Sequence, residues 1–109
     1  MDRPLLVYTT FPDMDIALSV GEGLVRERLI ACINVLPGMH SVYAWKGGIE
    51  RGQEAVAILK TRAGLQDRVH RVLKEKHPYE TPVILFIEPT GGDEATLEWI
   101  LMETSESQP

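Results

Sequence analysis

The sequence has 109 residues, 44% hydrophobic and 25% charged, which fits one soluble globular domain and excludes a chain disordered throughout. Eleven Lys and Arg against sixteen Asp and Glu leave a net charge of −5, the wrong sign for general affinity to phosphate backbones or anionic membranes. The single cysteine, Cys32, excludes an internal disulfide framework and a cysteine-based zinc finger. Asp2 and Arg3 lead into a short apolar stretch, Pro4 to Tyr8, that lacks the hydrophobic region of an export signal. The best apolar run, Val83 to Ile87, is too short to span a bilayer. A soluble cytoplasmic protein without nucleic-acid or membrane partners is expected, and the small size favours oligomerisation.

Leu5 to Thr10 is β-branched or aromatic in content and stopped by Pro12, which predicts a buried strand. Asp13 is placed to cap a helix in which Ala17, Val20, Leu24 and Val25 fall on one face, running to about Arg28. Gly21 and Gly23 inside it suggest close approach to a sheet. Ala31 to Trp45 reads as a long strand whose Pro37-Gly38 pair implies a bulge at a sheet edge. Lys46-Gly47-Gly48 turns the chain, and Glu54 to Thr61 is the returning strand. A second helix covers about Leu65 to Lys76, with Leu65, Val69, Val72 and Leu73 inward, and His77-Pro78 ends it. Pro82 to Ile87 is a fourth strand, and Ala95 to Glu103 a short helix with Leu97, Ile100 and Leu101 inward. The domain thus spans residues 1–103, and the polar tail 104–109 is expected to fray.

The order β, α, β, β, α, β plus a terminal helix predicts an α+β, ferredoxin-like fold with a long hairpin between its second and third strands. Two helices cover one face of such a sheet. Covering the other face with further copies of the chain is the economical solution, which predicts a homo-oligomer.

Catalytic signatures are mostly absent. The sequence lacks a Gly-rich phosphate loop, a nucleophile elbow and a His-Glu-x-x-His helix, and Thr10-Phe11-Pro12-Asp13 carries no cation for an acylphosphatase-like loop. An RNA-recognition domain would need sheet-face aromatics and a basic surface. What remains is a polar and aromatic set: Asn34, Tyr43, Trp45, Lys46, Glu54, Lys60, His77 and Tyr79. Hairpin pairing could bring Glu54 opposite Tyr43 and Trp45, giving aromatic walls, a cation and a carboxylate. The same residues equally suit a subunit interface, where Tyr and Trp are enriched. His40, His70 and His77 are dispersed. Cys32 reads as a small core hydrophobe or as a soft copper donor. His77, at a helix C-terminus where the dipole favours a charged imidazole, reads as a cap or as a metal ligand. An enzyme using His77 as acid–base with Tyr79 or Lys60 lacks an evident nucleophile–base pair, so no enzymatic activity is expected.

Four segments in order make a pattern: Leu29-Ile30-Ala31-Cys32-Ile33-Asn34-Val35-Leu36-Pro37-Gly38, then Ser41 to Gly47, then Glu54 with Ile58-Leu59-Lys60-Thr61, then His77-Pro78-Tyr79-Glu80-Thr81-Pro82. Together they resemble the divalent-cation tolerance (CutA) family over nearly the whole chain, Leu5 to Leu101. The resemblance implies a ferredoxin-like homotrimer, similar to the trimer of the PII signalling proteins, with a role in tolerance to divalent metals, copper in particular. It implies no established reaction and no certain cofactor, copper or another divalent cation being the candidate. The family's shared polar residues correspond to Asn34, Tyr43, Trp45, Lys46, Glu54, Lys60, His77 and Tyr79, which would line clefts between subunits and take a metal ion or small ligand. Copper-binding members place a Cys near the end of the first strand and a His pair before Pro-Tyr. Here Thr9 and Lys76 stand at the first two of those positions, which leaves His77, with Cys32 elsewhere, as candidate metal donors. Val83 and Ala95-Thr96 are further departures from the family's polar pattern.

Overall fold

A computed structural model describes residues 2–105. Along the chain run β1 (Pro4–Phe11), α1 (Met14–Arg26), β2 (Cys32–Trp45), β3 (Gly48–Arg62), α2 (Gln66–Lys76), β4 (Ile84–Ile87) and α3 (Glu94–Glu103). The strands form one antiparallel sheet in the order β2-β3-β1-β4, which is the expected ferredoxin-like arrangement.

Local chemistry accounts for most of the boundaries. The Asp13 carboxylate accepts the Ile16 amide at 2.9 Å and so starts α1. That helix stops at Arg26, short of the expected Arg28, because Arg28 turns left-handed with φ 59°. The Arg28 amide then bonds the Val25 carbonyl and the Leu29 amide the Leu24 carbonyl, both at 3.0 Å, which closes a Schellman motif. A left-handed arginine costs roughly 1–2 kcal/mol. Its guanidinium offsets this by donating to the Met102 and Ser105 carbonyls at 3.0 Å, capping the end of α3.

The hairpin is longer than its sequence pattern suggested. Lys46 and Gly47 have φ 49° and 81°, the positive values a two-residue primed turn needs, so pairing starts at Trp45 and Gly48. Polar and Gly-rich residues 48–53 therefore join β3, and the molecule extends to 48 Å in its longest dimension against 27 and 23 Å. The bulge expected at Pro37-Gly38 is present as a register shift between Leu36 and Met39, on edge strand β2. Strand β4 starts at Ile84, two residues after Pro82, which cannot donate to the ladder.

On one sheet face Val7, Phe11, Ala57 and Leu59 meet Ala17 and Leu24 of α1 and Val69 and Leu73 of α2, forming the core. Gly21 is required there: a Cβ at that position would come within 2.5 Å of the Ile33 side chain. Gly23 meets no such constraint. The opposite face carries Leu36, Leu85 and Ile87, each about half exposed. Beyond α3, Thr104 is fully buried and its carbonyl accepts from Arg62, so the expected frayed tail does not begin at 104; residues 106–109 lie outside the described residues.

Candidate functional site

The aligned strands and the α2–β4 connection place Glu54, His77 and Tyr79 together. The Tyr79 hydroxyl donates to Glu54 Oε2 at 2.8 Å, and the Ser41 hydroxyl lies 3.1 Å from Oε1. Met39 Sδ is 3.0 Å from the same Ser41 hydroxyl. Burial, then the Glu54 hydrogen bond and charge, hold the Tyr79 phenol well above its ordinary range, with Tyr43 and Asp13 adding smaller contributions. Tyr43 leans along its strand over Gly52 toward this group, since a Cβ at Gly52 would lie 3.7 Å from its ring.

His77 is buried behind Tyr79. Its ring stacks on Phe11 with centroids 4.5 Å apart, and the Tyr79 ring lies 5.0 Å away. Nε2 is 2.7 Å from the Thr10 carbonyl oxygen and 3.3 Å from Thr9 Oγ1, while Nδ1 accepts the Tyr79 amide at 3.2 Å. A carbonyl only accepts, so Nε2 carries the proton and Nδ1 supplies the lone pair. Burial lowers the ring's pKa, against the opposing effects of the Thr10 hydrogen bond and the Glu54 charge. Of the two sequence readings for this side chain, cap or metal ligand, the charged cap does not form: the ring is neutral, because desolvation outweighs the Thr10 hydrogen bond and the Glu54 charge that favour the cation. Only its backbone caps α2, through the Leu73 carbonyl at 2.9 Å.

The remaining expected residues disperse. Glu54 pairs with Met39, while Tyr43 faces Glu50 and Trp45 faces Gly48, which corrects the expected Glu54–Tyr43–Trp45 pairing. The Lys46-Gly47 turn sets that register, and the Pro37-Gly38 bulge shifts it beyond Met39. Trp45 and Lys46, whose ammonium sits 5.8 Å over the Trp45 ring, occupy the hairpin tip, roughly 20 Å along the strand from Met39. Asn34 pairs with Ile58, and Cys32 faces Lys60 toward the other end of β3. Cys32 shares the sheet face of Leu36, whereas His77 meets Thr9 on the helix-covered face. The two candidate metal donors therefore lie on opposite sides of the sheet within one chain, and both His77 nitrogens are engaged. No group of three or more His, Cys, Asp or Glu side chains able to hold a metal ion occurs among the described residues.

A cavity of about 230 Å³ adjoins Glu54, between the Pro12-Asp13-Met14 turn and the Pro37-Gly38 bulge, with Gln53 on its wall. Asp13, Ser41 and Gln53 went unrecognised as neighbours of this site. Asp13 carried a visible helix-capping signal, but the closeness of turn and bulge is a tertiary fact. Lined by two carboxylates, the cavity suits a group that donates hydrogen bonds or carries positive charge. A larger open depression of about 590 Å³ runs beside α2 among exposed charged side chains, Asp67, Arg71, Lys74 and Glu75 among them.

Comparison with known proteins identifies the family. The family described as CutA1 divalent ion tolerance protein matches residues 5–103. The divalent-cation tolerance protein CutA of Pyrococcus horikoshii is 44% identical over 100 residues, covering 92% of this chain and 97% of that protein. The crystal structure of divalent ion tolerance protein CutA1 from Ehrlichia chaffeensis matches with a TM-score of 0.91 at 33% identity, covering 96% of this chain and 98% of that one. Two other relatives overturn the expectation of a cytoplasmic location. The Arabidopsis thaliana protein CutA, 33% identical over 92% of this chain and 55% of its own length, is called chloroplastic. A structure of CutA from Archaeoglobus fulgidus, with TM-score 0.89 and 31% identity over 94% of this chain and 99% of that one, is called periplasmic. One fold thus serves several compartments, and neither net charge nor short apolar runs assign this chain to one. The chain belongs to the CutA1 divalent ion tolerance protein family.

Proposed function

We propose that the protein acts in divalent-cation tolerance as a homotrimeric, non-catalytic binding module whose cavity beside Glu54 and Tyr79 takes a small ligand bearing a cationic or hydrogen-bond-donating group. The observation that carries this reading is the Glu54 carboxylate, held by Tyr79 and Ser41 on the wall of the 230 Å³ cavity and joined there by Asp13. Neutral donors fix the carboxylate without cancelling its charge. His77 and Tyr79 position groups rather than transfer protons: one ring has both nitrogens engaged, and the other phenol is held protonated.

Assembly is supported by the apolar residues that one chain leaves wet. Val42 and Ile49 on the hairpin are 68% and 74% exposed, and Leu36, Leu85 and Ile87 line the open sheet face. A second copy covering these would also close the clefts around Tyr43 and Trp45. Light scattering tests this directly, and a monomer at micromolar concentration would sink it.

Calorimetry on the assembled protein with copper, zinc, small amines and small anionic metabolites tests the ligand class. Amine binding that is lost in Glu54→Gln is the expected result. Tight copper or zinc binding that survives Glu54→Gln would point to a metal centre elsewhere, and binding by none of them would remove the cavity from the function.

A further inference from the structure

We propose that Met39 is a reversible oxidation site that regulates the cavity beside Glu54: a hydroperoxide converts its thioether to the sulfoxide, and the added oxygen raises the cavity's affinity for cationic ligands. The regulatory consequence rests on the proposed role of that cavity; the chemistry at Met39 does not. The Pro37-Gly38 bulge sets two residues of β2 against Ala55 alone, which brings Met39 directly opposite Glu54. Ser41 follows two residues further along the same face. β2 is an edge strand, and Met39 is partly exposed on it beside Gly38, which lines the cavity.

The Ser41 hydroxyl lies 3.0 Å from Met39 Sδ and 3.1 Å from Glu54 Oε1, so a single proton faces two acceptors. In the thioether form they do not conflict. Sulfur is a weak acceptor and the carboxylate is charged, so the proton goes to Glu54 and the sulfur needs no donor. Glu54 is then served at both oxygens, by Ser41 and by Tyr79.

Oxidation ends that balance. A sulfur lone pair attacks one peroxide oxygen, and the O–O bond breaks as the S–O bond forms. With hydrogen peroxide the departing oxygen takes the proton of the transferred one and leaves as water; sulfur is oxidised by two electrons and the peroxide is reduced by two. The new oxygen is a strong acceptor on a sulfur that already touches Ser41 Oγ. One Ser41 proton cannot serve both it and Oε1, so one of the two oxygens is left without that donor beside the Glu54 charge, which is unfavourable. Tyr79 gives its only hydroxyl proton to Oε2, and Asp13 is itself an acceptor. A cationic ligand is the donor the oxidised site favours.

Hydrogen peroxide treatment of the assembled protein, followed by peptide mass mapping, NMR and calorimetry with methylammonium, tests this. Met39 should gain one oxygen before the circular dichroism of the fold changes, with Met14 and Met102, 40% and 54% exposed, as internal references. The carboxyl carbon signal of Glu54, read at neutral pH, should move with that conversion. Methylammonium affinity should rise about tenfold, the factor of one hydrogen bond to a charged donor, and fall back once methionine sulfoxide reductases have removed the oxygen. Met39→Leu, which fills the site without a sulfur, should show neither change on peroxide treatment. A Met39 still reduced when Met102 is converted, an unmoved Glu54 signal, or an equal rise in affinity in Met39→Leu would each overturn the proposal. A Glu54 signal that moves in a protein binding methylammonium in neither form would uphold the oxidation site and overturn the regulation, through the cavity's role. Should Met39→Leu fail to fold, reversal by the reductases decides the question on the wild-type protein.

Discussion

The two faces of the sheet are built from similar residues yet meet different surroundings. Along β3, Ala55, Ala57, Leu59 and Thr61 are at most 1% exposed beneath α1 and α2, while their neighbours Val56 and Ile58 point the other way and remain partly open. The exposure is greater at the sheet edges, where Leu36 and Leu85 are each 56% exposed. An alternating strand normally places polar residues on its wet side. Apolar residues on both sides mean that this chain supplies cover for one face and leaves the other to something outside itself. The Glu54–Tyr79–His77 group lies where the faces meet: His77 is seated among Thr9 and Phe11 of the covered side and hands Tyr79 to Glu54 of the other.

Truncating the covered face should produce the largest effect. Leu59→Ala removes a fully buried side chain, and urea denaturation should show a loss of about 3 kcal/mol. On the open face the change should fall on assembly. Leu85→Asp is expected to weaken subunit association by about 2 kcal/mol per copy while leaving the far-ultraviolet circular dichroism of the fold unchanged. Sedimentation velocity reads this, and an unchanged sedimentation coefficient would mean that copies of the chain do not cover that face. At the seam, Tyr79→Phe deletes the donor to Glu54 Oε2 and should lower stability by about 1 kcal/mol at neutral pH by chemical denaturation.

The smallest effect should come from a contact outside both faces. Asp2 accepts from Arg62 at 2.7 Å and from the Gly64 amide at 2.9 Å. Burial raises its pKa, but the Arg62 hydrogen bond, the Arg3 and Gly64 amides and the Arg62 charge together bring it below the ordinary carboxylate value. A lowered folded pKa contributes stability that is present above the ordinary value and lost as pH falls through the folded one. Asp2→Asn should therefore cost roughly 0.5–1 kcal/mol at pH 7 and progressively less in acid, as thermal melts across pH would show. An Asp2→Asn penalty that persists undiminished in acid would show that the carboxylate charge is not what matters.

Much of this was legible from the chain. The Asp13 cap, the Pro37-Gly38 bulge and the close approach at Gly21 follow from side-chain chemistry that acts within a few residues, and each is present in the structure. The ferredoxin-like order and the family followed from element sequence and from four ordered motifs. Less legible was the site. Sequence placed Glu54 in the hairpin but not its partner, because a register depends on where the turn begins, and Lys46-Gly47 moved that start upstream of the recognisable strand pattern. Thr104 was misread for a related reason: a polar residue at a chain end looks solvated until Arg62, from β3, is seen to take its carbonyl.

The sequence by itself determined the secondary-structure order, the acidic balance and the family, because propensity, capping and motif spacing are local or additive properties. Only the tertiary structure decided which apolar face is covered, that Glu54 meets Tyr79, and that the His77 ring is neutral with its proton on Nε2. Those outcomes rest on contacts between segments far apart in the chain, such as His77 and Thr10. Burial and hydrogen-bond geometry, which set a proton's position and a side chain's partner, exist only once those segments have met.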